Sequence, residues 1–332
     1  MKRVLIDKES RYYKANLHTH SNFSDGHHSP EELKEEYKKR GYSILAITDH
    51  EHVIDHSYLS DEDFLMITGC ELAIKEFERE STHKNLDMKI THLNLYALDP
   101  HNAVTPCHSS IYDHLALDKC GSLIKHNGEF QREYSAKGVN EIIRIASEQG
   151  FLVSYNHPSW SLENACDYHE YSGLFAVEIY NHARVLQSGM TDEIVLDEFW
   201  RAGKPVMCLC SDDSHSLFDA DGPVAFGGFT MINAKSLNYE DVMFALKTGN
   251  FYASSGPEIK SLIIEDNIVK VEFSDCVMAN IITRGRRAKS VRAKKDGTIS
   301  YAEFELRDGD GYFRITVTDK SGKKAYTQIY EI

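Results

Sequence analysis

The chain has 332 residues, 42% of them hydrophobic and 27% charged, with a formal net charge of −14. That length supports a sizeable core and allows either one large α/β domain or a large domain with a small appendage. Charge interrupts MKRVLIDKES early and no stretch approaches ~18 uninterrupted apolar residues, so neither a signal peptide nor a membrane span is expected. Seven scattered cysteines with no C-x-x-C pair suit a reducing cytoplasm. The acidity is confined to the first part of the chain. Residues 258–332 hold 14 Lys+Arg against 12 Asp+Glu, which leaves 23 basic and 39 acidic groups before them. Such a segment repels polyanions unless bound cations reverse the local sign.

In chain order, NLHTHSNFSDG (16–26) puts His18 and His20 one residue apart, with Asp25 five residues later. SPEELKEEYKKRG then reads as a helix with Ser29 as N-cap, Pro30 at the first position, Glu32 completing a capping box and Gly41 as the stop. The Ile-rich run YSILAIT predicts a buried strand leading into Asp49-His50, and FLMIT (64–68) predicts another ending in Gly-Cys-Glu71. HLNLYAL begins at His92. The stretch 99–137, rich in His, Ser, Asn and Gly, resists assignment and reads as an insertion, either a lid or a plain loop. The helix VNEIIRIASEQG precedes the strand FLVSY, which leads into Asn156-His157-Pro158. LFAVEIY, the helix TDEIVLDEFWRAG and the strand PVMCLC follow, the last ending in Ser211-Asp212-Asp213-Ser214-His215. GGFTMINA and the helix NYEDVMFALKTG close the series near FYASSGP.

This alternation predicts a parallel sheet covered by helices, with a barrel preferred because about seven strands precede residue 235. After Gly256-Pro257, runs such as IVKVEFSD and YFRITVTDKSG alternate apolar with polar between Asp-Gly and Lys-Ser-Gly turns, the pattern of a small antiparallel β domain. The expected division is therefore 1–257 and 258–332.

His50, Glu71, His157, Asp213 and His215 each follow the C-terminal end of a predicted strand, and His18 and His20 end or follow the first. In parallel α/β folds those ends converge on one face, where active sites lie. His92 is the exception, at the start of its run. Imidazoles and carboxylates delivered from several segments suit Zn, Mn or Fe(II) without a thiolate.

These residues resemble the polymerase and histidinol phosphatase (PHP) superfamily of metal-dependent phosphoesterases. The likeness runs from residue 15 to about 256 through H-x-H with a downstream Asp-Gly (18, 20, 25, 26), T-D-H (48–50), G-x-E (69–71), His92, H-P (157–158) and D-x-H (213–215). Asn16 stands where that family often has Asp. The resemblance implies a distorted seven-stranded β/α barrel, followed here by the small antiparallel β domain, and a site of two to three divalent transition metal ions. It implies that His18, His20, Glu71 and Asp213 hold a first ion, that Glu71, His92 and His157 hold a second, and that Asp25, His50 and His215 hold a third. Asp49 and Asp212 then fit as carboxylates orienting the histidines, with Asp212 in place of Asp213 as the alternative ligand.

Two close metals generate hydroxide at neutral pH and stabilise the attacking and leaving oxygens of an in-line displacement. The expected activity is hydrolysis of a phosphomonoester or nucleotide phosphoester, with Glu71 and Asp213 central, Arg184 clamping phosphate and His182 protonating the leaving group. The expected partner is a small phosphorylated substrate, a nucleotide or an oligonucleotide end, with no membrane and no obligate protein partner. Two rivals stand beside it. An amidohydrolase-type C–N or ester hydrolase also opens with H-x-H and ends on an aspartate. A metal-stabilised binding module would act through RGRRAKSVRAKK (284–295), seven basic residues without an acid. Because no expected ligand lies beyond His215, a chain ending near Pro257 is expected to keep its chemistry.

Overall fold

A computed structural model describes residues 2–76, 88–115, 121 and 123–332. β1 (Lys2–Ile6) and β2 (Tyr12–Asn16) precede α1 (Pro30–Lys39), β3 (Ile44–Ile47), β4 (Leu65–Lys75) and β5 (Ile90–Ala97). Then come α2 (Ala136–Glu148), β6 (Phe151–Tyr155), β7 (Ala176–Asn181), α3 (His182–Ser188), α4 (Glu193–Arg201), β8 (Met207–Ser211), β9 (Phe229–Asn233), α5 (Tyr239–Thr248) and β10 (Phe251–Ser254). The C-terminal strands are β11 (Ile259–Glu265), β12 (Ile268–Cys276), β13 (Met278–Thr283), β14 (Ala288–Arg292), β15 (Ile299–Glu305), β16 (Tyr312–Thr318) and β17 (Lys324–Tyr326). Helix α1 starts at its local signals: Ser29 Oγ accepts from Glu32 N, and the Glu32 carboxylate accepts from Ser29 N. Helix α2 buries Val139, Ile142, Ile143 and Ala146 in the cluster that holds Val153 and Tyr155 of β6.

The fold is mixed α/β, with a fourteen-stranded sheet in the order β8-β7-β6-β5-β4-β3-β2-β9-β10-β17-β16-β13-β14, Tyr330–Glu331 being added beside β16. Two features depart from the expected parallel barrel. First, β5 runs antiparallel to both β4 and β6, and β9 antiparallel to β2 and β10, so within this sheet the parallel runs are β2-β3-β4 and β6-β7-β8. Second, no ladder joins β8 to β2. Their ends meet through an isolated bridge, in which His20 N donates to Ser214 O and Asp213 N to His18 O, each at 2.9 Å. Asn16 secures this meeting: its amide donates to Tyr37 Oη at 2.9 Å and its carbonyl accepts from Asp212 N at 3.0 Å. An aspartate there would lack the donor.

Hydrogen bonding crosses the 257/258 boundary at both ends of the chain. β17 pairs with β10 and so continues the large sheet, whereas the N-terminal strand β1 pairs with β11 in a second sheet, β1-β11-β12-β15. Gln328 donates to Cys208 O and Phe251 O and accepts from Cys208 N, tying the C-terminal segment to β8 and β10. Within 99–137, residues 103–109 are packed against the loop after β3, whereas most of the described residues from 121 to 131 are exposed. Val53 N donates to Thr105 Oγ1 at 3.0 Å, His101 Nδ1 stands 3.0 Å from Asp55 Oδ2, and Thr105, His108 and Tyr112 are buried. The basic run 284–295 forms the turn and the exposed second strand of the β13–β14 hairpin, with Arg287 paired to Asp310. Among the described residues no helix is long and apolar enough to cross a membrane.

Candidate metal centre

The reversed direction of β5 accounts for the position of His92. Because β5 is antiparallel to its neighbours, its N-terminal end lies at the rim where β4 and β6 deliver their C-terminal ends; His92 O accepts from Asn156 N, and Asn94 lies opposite Glu71. Glu71 is not beyond a strand end, as FLMIT suggested, but inside β4. The strand pairs with β3 through Thr68 and with β5 from Gly69 onward. Gly69 permits the close approach of β5, since a Cβ there would meet Leu95 O at 2.3 Å.

Glu71 is 1% exposed and lies at the middle of the cluster. Its Oε1 stands 3.3 Å from His18 Nε2, 3.1 Å from His92 Nδ1 and 3.2 Å from His157 Nε2, and accepts from Asn156 Nδ2 at 2.8 Å. Its Oε2 is 3.5 Å from His20 Nε2 and 3.3 Å from His50 Nδ1. Asp213 Oδ1 lies 3.2 Å from His18 Nε2 and 3.1 Å from His20 Nε2. Asp25 reaches His50 Nε2 at 3.5 Å and His215 Nε2 at 3.4 Å. Four groups of ligand atoms result here: His18, His20, Glu71 and Asp213; Glu71, His92 and His157; His20, Asp25, His50 and His215; and His18, His157 and Glu178. All nine expected ligands are thus within one connected set, and His20 also borders the group around Asp25.

The spacing fits metal ions. Tetrahedral bonds of about 2.0–2.1 Å put neighbouring donors about 3.3–3.4 Å apart. The Nε2 atoms of His18 and His20, 3.3 Å apart, face each other and the same carboxylate oxygen. Buried Nδ1 atoms of His20, His50, His92 and His157 have no hydrogen-bond partner. Each such orphan costs about 1–3 kcal/mol unless something else satisfies it. His157 and Asp213 have φ of 25° and 53°, left-handed conformations for non-glycine residues. Strain of this kind, about 1–3 kcal/mol each, concentrates at functional sites.

Electrostatics favour anionic carboxylates and a neutral His20. Burial pushes the Glu71 carboxyl up, but the imidazoles of His92 and His18 outweigh it and hold the group well below the usual range. Asp25 is likewise lowered, hydrogen bonds to His215 and His50 overcoming its burial. Burial, with His215 and His50 close by, pushes His20 down to about 4, which leaves a free lone pair at neutral pH.

Several other side chains support the cluster. Glu178, which sequence reasoning passed over, is 1% exposed; its Oε1 accepts from His18 Nδ1 at 3.1 Å and its Oε2 from His157 N and Asn181 Nδ2. The bond to Nδ1 fixes the tautomer that turns Nε2 toward Glu71 and Asp213. Its signal was a lone acid inside the apolar strand AVEIYN. Asp49 does not orient a histidine. It accepts from Ser21 N, Ser21 Oγ and Ser24 Oγ, and so shapes the loop between His20 and Asp25. Gly26 completes that loop, since a Cβ would meet His20 O at 2.2 Å. Asp212 accepts from Tyr37 Oη and from the N–H groups of Phe226, Gly227 and Gly228, so its oxygens are occupied away from the imidazoles.

A cleft of about 380 Å³ opens over the cluster, lined on its outer side by Trp160, Arg184 and Gln187. His182 does not line it: its ring packs against Gly227 and its Nδ1 meets Tyr180 Oη at 3.1 Å. Asn181 caps α3 by accepting from Arg184 N, which directs Arg184 rather than His182 to the cleft.

Two variants test this arrangement. In Glu178→Gln, metal affinity measured by competition with a chelator should fall roughly 10–100-fold while the fold is retained; an unchanged affinity would contradict the orienting role. Asp25→Ala should lower the bound metal by one ion and turnover by at least about tenfold, leaving the ions near Glu71 in place. Native mass spectrometry showing unchanged stoichiometry would reduce Asp25 to a turn residue.

Fold and site together define an α/β protein with a clustered His/carboxylate centre of the metal-ligand type on one sheet rim. The chain belongs to the PHP domain family, whose sequence profile matches residues 16–202. Comparison with curated proteins finds none that matches. Similar solved structures include a two-domain protein from Bacteroides vulgatus containing a predicted PHP-like metal-dependent phosphoesterase, at 14% identity and TM-score 0.47 over 98% of this chain and 96% of that one. A protein from Bifidobacterium adolescentis described as a metal-dependent phosphoesterase has 16% identity and TM-score 0.36, over 60% and 87% of the two chains. An amidohydrolase from Chromobacterium violaceum, with bound sulfate and no metal, has 12% identity and TM-score 0.37, over 63% and 89%.

Proposed function

We propose that the protein is a metal-dependent phosphoesterase that hydrolyses a small phosphomonoester, using two to three Zn, Mn or Fe ions held by His18, His20, Asp25, His50, Glu71, His92, His157, Asp213 and His215. The observation that carries this reading is the single buried carboxylate of Glu71, whose two oxygens face five imidazoles. A carboxylate so surrounded would help hold more than one ion. Bound there, the ions would acidify a water and offset the negative charge that builds on a phosphoryl group.

The chain's own residues supply position. Asn181 Nδ2 holds Asp213 Oδ2 at 3.0 Å, and Asn156 Nδ2 holds Glu71 Oε1, so neither carboxylate is free to rotate. Arg184 offers a buried Nε–H without a hydrogen-bond partner, while one of its terminal nitrogens donates to Ser159 O at 3.3 Å. A guanidinium at the cleft is suited to a phosphate oxygen, and Trp160, 39% exposed, provides a flat wall for the organic part of the ester.

The deciding experiment reconstitutes the protein with Zn, Mn or Fe(II) and compares turnover of p-nitrophenyl phosphate with that of amide and lactone substrates. Turnover of the latter alone would replace this reading with a C–N or ester hydrolase; a salt-dependent shift on single-stranded DNA with no turnover would replace it with a binding module. Arg184→Ala should raise KM for the phosphate substrate roughly 10–100-fold, the value of a charge-assisted hydrogen bond, with a smaller change in kcat. An unchanged KM would remove Arg184 from substrate binding.

A further inference from the structure

A second group of metal-type ligands stands apart from the nine at the cleft. His52 Nε2 lies 3.5 Å from Asp113 Oδ1, His108 Nε2 lies 3.8 Å from the same oxygen, and the rings of His52 and His108 are 5.7 Å apart between centroids. One ligand atom from each of the three residues falls within 4.8 Å of the others. His52 is 1% exposed, yet neither of its ring nitrogens makes a hydrogen bond. Burying an imidazole with both nitrogens unsatisfied is costly relative to leaving it in water, unless a ligand takes one of the lone pairs. The distances to Asp113 are too long for hydrogen bonds but match, to within a few tenths of an ångström, the ~3.3–3.5 Å edge between ligands sharing a tetrahedral ion.

We propose that His52, His108 and Asp113 form a separate divalent transition-metal site, with solvent completing the coordination. Two imidazoles and one carboxylate suit zinc and its neighbours rather than calcium or magnesium. Asp113 has a side chain 47% exposed, which gives an ion a path from solvent, while the two histidines are buried beneath it. The site joins two segments that are far apart in sequence. His52 belongs to the loop after β3, and His108 and Asp113 belong to the stretch that follows β5. The same segments are already linked by the buried ion pair of Glu51 with Arg132, at 2.6 Å, and by Val53 N donating to Thr105 Oγ1. An ion here therefore fastens residues 104–113 onto the loop that carries His50. It shares no ligand with the cleft cluster, so emptying it removes none of the nine side chains grouped there.

The test uses the full chain and two variants outside the cleft, Asp113→Asn and His108→Gln. Asp113→Asn changes a half-exposed carboxylate to its isostere and leaves the fold intact, so it decides the matter even where His108→Gln unfolds. Each protein is stripped of metal, loaded with zinc and dialysed, and its ions are counted by native mass spectrometry. Amide hydrogen exchange over residues 104–113 is followed with and without zinc. The expected result is one ion fewer per chain in the variants, with zinc-dependent protection of 104–113 in the unaltered chain that the variants lack. Equal ion counts in the unaltered chain and Asp113→Asn would overturn the proposal. So would exchange over 104–113 that is indifferent to zinc in the unaltered chain.

Discussion

Glu71→Gln should abolish turnover and remove the ions bound around it, leaving the folded chain otherwise intact. Glutamine keeps the shape of the side chain but replaces one anionic oxygen by an NH2 group that donates rather than accepts. His18, His92 and His157 face one oxygen of Glu71, and His20 and His50 face the other, so either orientation of the amide turns donors toward lone pairs an ion needs. Because two of the four ligand groups at the cleft share this residue, the effect is not confined to one ion. Loss of one member of a cooperative catalytic unit costs on the order of 10⁴-fold in turnover, and that is the scale expected here. Metal analysis, circular dichroism and turnover on one preparation check it. Near-normal metal content with near-normal rate would show that Glu71 does not bridge.

The second large effect concerns the C-terminal strands. A chain ending near Pro257 should fail to accumulate as a folded protein, contrary to the expectation from ligand positions alone. Truncation strips β17 from β10, β11 from β1, and Gln328 from the backbone of Cys208 and Phe251. It also leaves Asp197 in α4 without Arg314, its buried bidentate partner at 2.9–3.0 Å. Breaking such a pair costs about 3–5 kcal/mol. Tyr326 and Ile329, which pack into the same core cluster as β6 and β7, add about 1.5–3 kcal/mol each. These losses are comparable with the 5–15 kcal/mol that holds a typical domain together. Expression and thermal unfolding of the truncated chain provide the check. A soluble product with a cooperative transition and bound metal would show that residues up to 257 fold alone.

Local chemistry was legible in the residues themselves. The Ser29–Glu32 capping box acts within one helical turn, so α1 could be recognised without knowing what it packs against. The same holds for the short apolar runs of β3, β6 and β8 and for the ligand types gathered after them, because a strand end and the side chains just beyond it are set by neighbours in sequence. Strand direction and pairing are different in kind. Nothing in HLNLYAL states that β5 runs antiparallel to both neighbours, yet that reversal alone carries His92 to the rim. Nothing in GCE reveals that β4 continues through Glu71 and pairs with β5 from Gly69, since that pairing depends on how closely Leu95 O approaches. Glu178 could be read as an anomaly in AVEIYN, but its role required knowing that His18 lies across the sheet. The alternating strands after Pro257 looked self-sufficient, although β17 extends the large sheet and β11 pairs with the N-terminal strand. Hydrogen-bond capacity and side-chain chemistry belong to each residue, whereas the choice of partner is made by burying surfaces hundreds of residues apart, and only the folded chain brings those surfaces together.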